Sequence, residues 1–134
     1  NKNIKFVLLG KFDPGGPSGI PLKKLREYND KKKYPNLKWI GYKKKIADII
    51  DKSTIIVLPS YHEGVPKVLM EAAACGKPIV ATNISGCREV VKQNKNGILI
   101  PLKNASAIEK AIKKILSNKK KLKYMEKIPE KKLY

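Results

Sequence analysis

Short apolar runs alternate with helical patterns along most of this chain. Five runs rich in aliphatic, β-branched or aromatic residues have the length of strands: 4–9, 37–41, 54–58, 78–81 and 98–101. Strands that alternate with helices pair in parallel through right-handed crossovers. The sequence therefore predicts an α/β fold, a Rossmann-like three-layer α/β/α sandwich with a mainly parallel sheet. Ligands of such sheets bind at the carboxyl ends of the strands.

The segments between these runs carry helix and turn signals. Helices are expected over residues 22–33, 46–50, 66–76, 88–92 and 107–116. The Ala and Ile stripe of the last one is the cleanest helical pattern and indicates core packing. The first strand, a short and mainly apolar run, is expected to be fully buried. Two segments, 10–21 and 83–86, are rich in turn residues and predict loops.

The third strand leads through a short polar loop into the helix that starts near Pro66. Proline in the first turn and Gly76 at the end are the usual helix boundaries. The first turn of a helix has N–H groups without intrahelical partners and carries the positive end of the helix dipole. Gly64 would let a phosphate approach the backbone there. This pattern predicts an anion site at the loop.

Two glutamates flank this predicted helix start. On a helical wheel five residues share the apolar face: Val65, Val68, Leu69, Ala72 and Ala73. Glu71 then lies on the flank of the helix, and Glu63 lies in the loop before it. Carboxylates on both sides of free amides suit a diphosphate between two hydroxyl-bearing rings, which is the layout of a nucleotide-sugar. On its own, this spacing of two glutamates would favour an ordinary solvated helix face.

Further motifs surround the two glutamates, which stand in an E-x7-E pattern. They are Leu-Pro-Ser at 58–60, Ala-Ala-Ala-Cys-Gly-Lys-Pro-Ile-Val-Ala-Thr at 72–82, Gly-Cys-Arg-Glu-Val-Val at 86–91 and Asn-Gly-Ile-Leu-Ile-Pro at 96–101. Together these blocks resemble retaining GT-B glycosyltransferases of family 4, also called group 1. The resemblance covers most of residues 4–117.

The resemblance implies the donor-binding half of a two-domain enzyme, one half of a GT-B fold. Such an enzyme transfers a sugar, with retention, from a nucleoside diphosphate sugar to a saccharide or lipid-linked acceptor. The expected pathway is the synthesis of cell-surface polysaccharides or glycoconjugates. A UDP-sugar is the expected donor, with no further cofactor. No metal is expected either, since the sequence has no Asp-x-Asp motif.

The resemblance also implies roles for individual residues. Glu71 would accept hydrogen bonds from the ribose hydroxyls of the donor, and Glu63, the catalytic candidate, would face the transferred sugar. The other donor-binding residues of this loop are Gly64, Val65, Pro66 and Lys67.

A second group of donor-binding residues is implied at the end of the second strand. The loop there contacts the nucleobase in the resembled family, which indicates Gly41 and Tyr42. Tyr42 is equally well explained as an ordinary half-buried aromatic residue. His62, the only histidine, is interpreted as a neutral loop residue rather than as a catalytic acid or base.

Departures from the family pattern affect the predicted domain organisation. The first strand and basic loop of the family's donor domain are not found before Asn3, and the acceptor-binding domain is also absent. We therefore predict a nucleotide-sugar-binding domain over residues 1–118 that lacks its first strand and loop. Residues 119–134 are predicted as a Lys-rich, solvated and partly frayed tail. Its anchors would be Leu122, Tyr124 and Met125. The chain alone is expected to be incomplete and inactive.

The charge of the chain bears on its partners. The formal net charge is +19, and thirty residues are Lys or Arg, of which only Arg26 and Arg88 are arginines. Because base readout relies on bidentate Arg and the lysines are scattered, we expect no nucleic-acid partner. A basic surface does favour peripheral contact with anionic membrane lipids.

The two cysteines indicate the redox environment in which the protein works. Cys75 and Cys87 lack metal-ligand spacing and fit free or buried thiols in a reducing environment. We therefore predict a cytoplasmic protein, with its charge drawing it to the inner face of the cell membrane. Two alternatives stay open: a non-enzymatic nucleotide-binding module and, less favoured, a basic nucleic-acid-binding α/β domain.

Overall fold

A computed structural model of the 134-residue chain describes residues 4–15 and 19–126. The chain forms two compact units, residues 1–46 and 47–134. The first contains β1 (Phe6–Leu8), α1 (Leu22–Glu27) and β2 (Leu37–Trp39). The second contains α2 (Ala47–Asp51), β3 (Ile56–Leu58), α3 (Lys67–Ala74), β4 (Ile79–Thr82), α4 (Ser85–Val90), β5 (Gly97–Ile100), α5 (Ala105–Leu116) and α6 (Lys119–Glu126). The predicted alternation of strands and helices is confirmed.

All the strand pairs of the described residues are parallel, as the alternation predicts. In the first unit β1 pairs with β2, with Phe6 opposite Leu37. In the second unit the strand order is β3-β4-β5, and Ile79 of β4 lies between Ile56 and Gly97. Parallel pairing brings the carboxyl ends of β3, β4 and β5 to one edge of their sheet.

The core of the second unit lies around β4, whose four residues are all buried. A cluster of buried residues packs there: Val80, Ile98, Ile100, Ala111, Ile115 and Met125. α3 adds Leu69, Ala72 and Ala73, also buried. A central parallel strand covered on both faces reads as a continuous apolar run, which is why the sequence identifies β4 well.

The segment after α5 is more ordered than its composition suggests. We expected residues 119–134 to be solvated and frayed, but α6 spans Lys119–Glu126 and buries Met125 completely. Leu122, three residues before Met125, also packs against the core cluster. One face of α6 is therefore anchored. Tyr124 is 56% exposed and is not an anchor. The rest of the predicted tail, residues 127–134, lies outside the described residues.

The expected burial of the first strand is wrong. Phe6 is 47% exposed and Val7 is 54% exposed. Among the described strands β1 pairs only with β2, so one of its edges is open. An apolar run indicates a strand, but it does not report how many neighbours that strand has.

Two predicted helix boundaries are also wrong. α1 ends at Glu27 instead of residue 33, because the Asn29 side chain exchanges two hydrogen bonds with the Trp39 backbone, at 3.1 and 2.9 Å. Asn favours such turn contacts over helix. α4 begins at Ser85, not at residue 88, and includes Gly86.

Candidate functional site

The start of α3 has backbone donors that no protein group uses. Pro66 is the N-cap and offers no side-chain hydrogen bond. The first bonds of the helix run from Leu69 N and Met70 N to the Pro66 carbonyl, at 3.0 and 3.2 Å. Among the described residues nothing accepts from the N–H groups of Lys67 and Val68. These amides add to the positive end of the α3 dipole.

The predicted boundaries of α3 agree with the structure within one residue at the start and two at the end. Pro66 stands immediately before the helix, and Gly76 follows its C-cap with φ of +65°. A left-handed residue is a common helix end, and glycine adopts it without strain. One detail is wrong: Val65 precedes the helix and is 50% exposed, so it is not on the buried face.

The loop before α3 is open on one side and closely packed on the other. No atom lies within 4 Å of the position that a Cβ would take on Gly64. A Cβ on Gly86 would lie 1.5 Å from the Gly64 carbonyl oxygen and 2.6 Å from that of Glu63. The first turn of α4 therefore contacts the loop backbone directly. This close approach leaves no room for a side chain at Gly86.

Glu63 is half-buried and its carboxylate is held from one side. Ser60 Oγ donates a hydrogen bond to Glu63 Oε1 at 2.8 Å. Thr82 Oγ1 in turn donates to the Ser60 carbonyl oxygen at 2.5 Å. Sequence reasoning missed both residues. The parallel register, which sets Leu58 opposite Ala81, could have placed the ends of β3 and β4 together.

Cys87 lies beneath this network and is fully buried. Burial raises the pKa of its thiol; a hydrogen bond with Thr82 opposes this rise and the charge of Glu63 adds to it. The thiol therefore stays neutral near pH 7 and packs as a small apolar group. Cys75 is exposed, and both cysteines are free, as the sequence predicts.

Glu71 and Lys67 extend from the exposed side of α3. Neither side chain has a hydrogen-bond or ion-pair partner among the described residues. His62, in the loop, is exposed as well. The predicted residues of this region thus form one continuous segment with accessible carboxylate, ammonium and amide groups.

A cavity of about 380 Å³ opens at the carboxyl ends of β3, β4 and β5. Its lining includes Tyr61, Thr82 and Lys103. Lys103 Nζ lies 5.6 Å from the centre of the Tyr61 ring, a cation–π distance. This edge is the one at which open parallel sheets bind ligands.

Gly41 and Tyr42 lie in the first unit, after β2. Gly41 has φ of +68°, and its carbonyl accepts from Gly10 N at 3.1 Å. Trp39 Nε1 donates to the Gly10 carbonyl at 3.2 Å, which joins the ends of β1 and β2. Tyr42 is 68% exposed, so the alternative of a half-buried aromatic residue is wrong.

The sequence matches the family Glycosyl transferases group 1 over residues 1–132. This chain belongs to that family. A relative is N,N'-diacetylbacillosaminyl-diphospho-undecaprenol alpha-1,3-N-acetylgalactosaminyltransferase of Campylobacter jejuni. It is 35% identical over 82 residues, which are 61% of this chain and 22% of that protein. The predicted membership of glycosyltransferase group 1 is confirmed.

Solved structures show the same fold for this group 1 chain. HepE of Anabaena in complex with UDP is 22% identical with a TM-score of 0.78, over 92% of this chain and 34% of that chain. The C-terminal domain of a group 1 family protein (LpcC) from Francisella tularensis is 18% identical with a TM-score of 0.69, over 94% of this chain and 84% of that domain. The Rossmann-like α/β class, similar to GT-B domains, is confirmed. The chain spans about a third or less of the Campylobacter and Anabaena proteins.

Within residues 4–15 and 19–126, no group of three or more His, Cys, Asp or Glu side chains could hold a metal ion. None of the helices described there has the length and apolar character needed to cross a bilayer.

Proposed function

We propose that this group 1 chain binds the donor of a retaining, family 4 glycosyltransferase. The enzyme would transfer a sugar from a UDP-sugar to a saccharide or lipid-linked acceptor in polysaccharide or glycoconjugate synthesis. The observation that carries the proposal is the start of α3. Its Lys67 and Val68 amides have no acceptor among the described residues, and the space beside Gly64 is open. Free amides at a helix N-terminus bind phosphate.

The residues around these amides suit the two ends of a nucleotide-sugar. Glu71 is exposed and without a partner, so both its oxygens can accept from ribose hydroxyls. Glu63 lies on the other side of the helix start and would face the transferred sugar. Val65, Pro66 and Lys67 complete the phosphate site. Stabilising the charge that builds on the leaving diphosphate is the expected source of catalysis.

Further proposals concern the contacts to the nucleobase, the need for a metal or cofactor, and the location of the protein in the cell. Gly41 and Tyr42 would contact the base, and the exposure of the Tyr42 ring leaves its face free for stacking. We infer no metal and no cofactor besides the donor. The net charge of +19 would attract both an anionic donor and the anionic inner face of the cell membrane, which suits a cytoplasmic enzyme. Nucleic acid is not an expected partner.

The names of similar proteins support UDP as the nucleotide and a lipid-linked acceptor. HepE was crystallised with UDP, and the Campylobacter relative is named for transfer to a diphospho-undecaprenol. We propose that these 134 residues alone bind donor without transferring sugar. Transfer needs donor and acceptor held together with water excluded. Robust acceptor-dependent turnover by these 134 residues would contradict this.

A thermal-shift screen with UDP-, GDP-, ADP- and TDP-sugars tests the proposed donor. A ligand at 100 times its Kd adds about 2.7 kcal/mol to the free energy of unfolding. We expect UDP-sugars to give the largest shift. No shift with any nucleotide, combined with tight, salt-sensitive binding to duplex DNA, would favour a nucleic-acid-binding domain instead.

A non-enzymatic nucleotide-binding module is the second candidate. The observation in its favour is the start of α3, whose amides without an acceptor among the described residues would bind a nucleotide whether or not transfer follows. The full gene distinguishes the two functions. An upstream acceptor-binding domain, with transferase activity of the whole protein, supports the enzyme, whereas nucleotide binding without any transfer supports the module.

A further inference from the structure

A line of polar contacts joins the ends of β3 and β4 to the carboxylate of Glu63. Ser60, two residues beyond β3, donates its hydroxyl to Glu63 Oε1 at 2.8 Å. Thr82, the last residue of β4, donates its hydroxyl to the Ser60 carbonyl oxygen at 2.5 Å. Thr82 is 1% exposed. Breaking its bond to Ser60 would take from a buried hydroxyl its carbonyl acceptor, so this end of the line is firmly held.

The same contacts leave half of the carboxylate free. Glu63 Oε2 has no partner among the described residues, although the side chain is half-buried. A carboxylate with one oxygen held and one free is an acceptor of fixed direction. Without the Ser60 hydroxyl the terminal torsion of Glu63 would be broad, because rotation about an sp³–sp² bond has no sharp minima.

We propose that Ser60 is a positioning residue for Glu63, held in place by Thr82. This inference rests on the proposed function, in which Glu63 faces the transferred sugar. Ser60 acts through Glu63 and does not itself touch the donor. Removal of its hydroxyl therefore weakens the binding of a UDP-sugar and leaves the binding of free UDP unchanged, since UDP carries no sugar beyond the diphosphate.

The test is calorimetry on the parent chain and on Ser60→Ala. The probes are free UDP and one UDP-sugar. The UDP-sugar is whichever of UDP-glucose, UDP-galactose and UDP-N-acetylgalactosamine the parent binds most tightly. We expect Ser60→Ala to weaken the UDP-sugar about three- to tenfold, the effect of one lost hydrogen bond. Ser60→Thr keeps a hydroxyl and should restore the affinity.

A matched control is available in the same unit. Ser53 is also half-buried and donates its hydroxyl to the Ile49 carbonyl at 2.6 Å, at the end of α2. Ser53→Ala therefore removes a comparable hydrogen bond elsewhere and should change neither affinity. Thermal unfolding of all variants checks that each is folded.

A double-mutant cycle separates positioning from general stabilisation. If Ser60 acts through Glu63, Ser60→Ala has no further effect on the UDP-sugar in the Glu63→Ala background. The inference is overturned if Ser60→Ala weakens UDP and the UDP-sugar equally, or if it keeps its full effect without Glu63. If the folded parent binds no nucleotide at all, the proposed donor site itself is wrong.

Discussion

Two helices of the second unit both follow a strand, yet their first turns differ. α5 is capped by Asn104, whose side chain accepts a hydrogen bond from Ala107 N at 2.8 Å. α3 is preceded by Pro66, which has no side-chain acceptor. An N-cap side chain contributes about 1 kcal/mol to stability. The first turn of α5 is therefore stabilised by its own side-chain cap, whereas no side chain of the described residues would compete with a ligand for the amides of α3.

The fifth residue of each helix repeats the contrast. Glu109 of α5 forms an ion pair with Lys113, one turn later, at 2.5 Å. Glu71 of α3 has Cys75 at the corresponding place, and its carboxylate has no partner among the described residues. The same residue type at the same helical position is thus paired within α5 and open in α3. Unused polar groups at matched positions indicate where a ligand belongs.

The largest expected effect is that of Gly64→Val on nucleotide binding. A branched side chain would fill the space beside the free amides, so UDP affinity should fall on the order of 100-fold or more through lost charged hydrogen bonds. The fold should survive, because no atom lies within 4 Å of the Gly64 Cβ position. Its φ is also outside the left-handed region.

Calorimetry with UDP measures the loss, and circular dichroism checks the fold. Gly64→Ala provides a graded control, since its smaller side chain should reduce affinity less than valine does. A folded Gly64→Val variant that binds UDP as well as the parent would place the nucleotide elsewhere.

Glu71→Ala is expected to have the next largest effect. Two hydrogen bonds from ribose to a carboxylate would be lost, which costs roughly 2 to 4 kcal/mol of UDP binding. Glu63→Ala should leave UDP binding unchanged, because Glu63 faces the sugar. Glu109→Ala is the matched helical control and should also be neutral. Equal losses for Glu71→Ala and Glu63→Ala in calorimetry would contradict the two assignments.

Sequence patterns predicted most of the fold because the buried faces of its helices and strands place apolar residues at regular intervals along the sequence. β4 and the stripe of α5 were recognised correctly, since each buries a regular set of apolar residues. The ends of elements were less predictable. α1 ends early because Asn29 binds the backbone of Trp39, ten residues away, and a helical pattern does not encode that contact.

The candidate site was predictable where its chemistry is local in sequence. The segment from Glu63 to Glu71 carries its own helix start and carboxylates, so reading along the chain finds it. Thr82 and Gly86 reach the same loop from β4 and α4. Such contacts follow from strand register and helix packing, which a single sequence specifies only through the fold.

Asn104→Ala should have a moderate effect on stability and none on nucleotide binding. The loss of its cap is expected to lower the free energy of unfolding by about 1 kcal/mol. UDP affinity should stay the same, because the proposed donor site lies at the start of α3 and not at α5. Urea unfolding and calorimetry on the same preparation measure both quantities. If Asn104→Ala binds UDP more weakly than the parent does, the contrast between the two helix starts is wrong.

The smallest expected effect comes from giving α3 the kind of cap that α5 has. In Pro66→Ser the hydroxyl can accept from the Val68 amide, which is free in the parent. Because Pro66 is buried, replacing it also removes ring packing, so Pro66→Ala is the proper reference. Relative to Pro66→Ala, the serine variant should gain about 0.5 to 1 kcal/mol in the free energy of unfolding. It should bind UDP roughly two- to fivefold more weakly, since hydroxyl and phosphate compete for one donor. Equal UDP affinity of the two variants, with the serine variant more stable, would mean that the Val68 amide takes no part in binding phosphate.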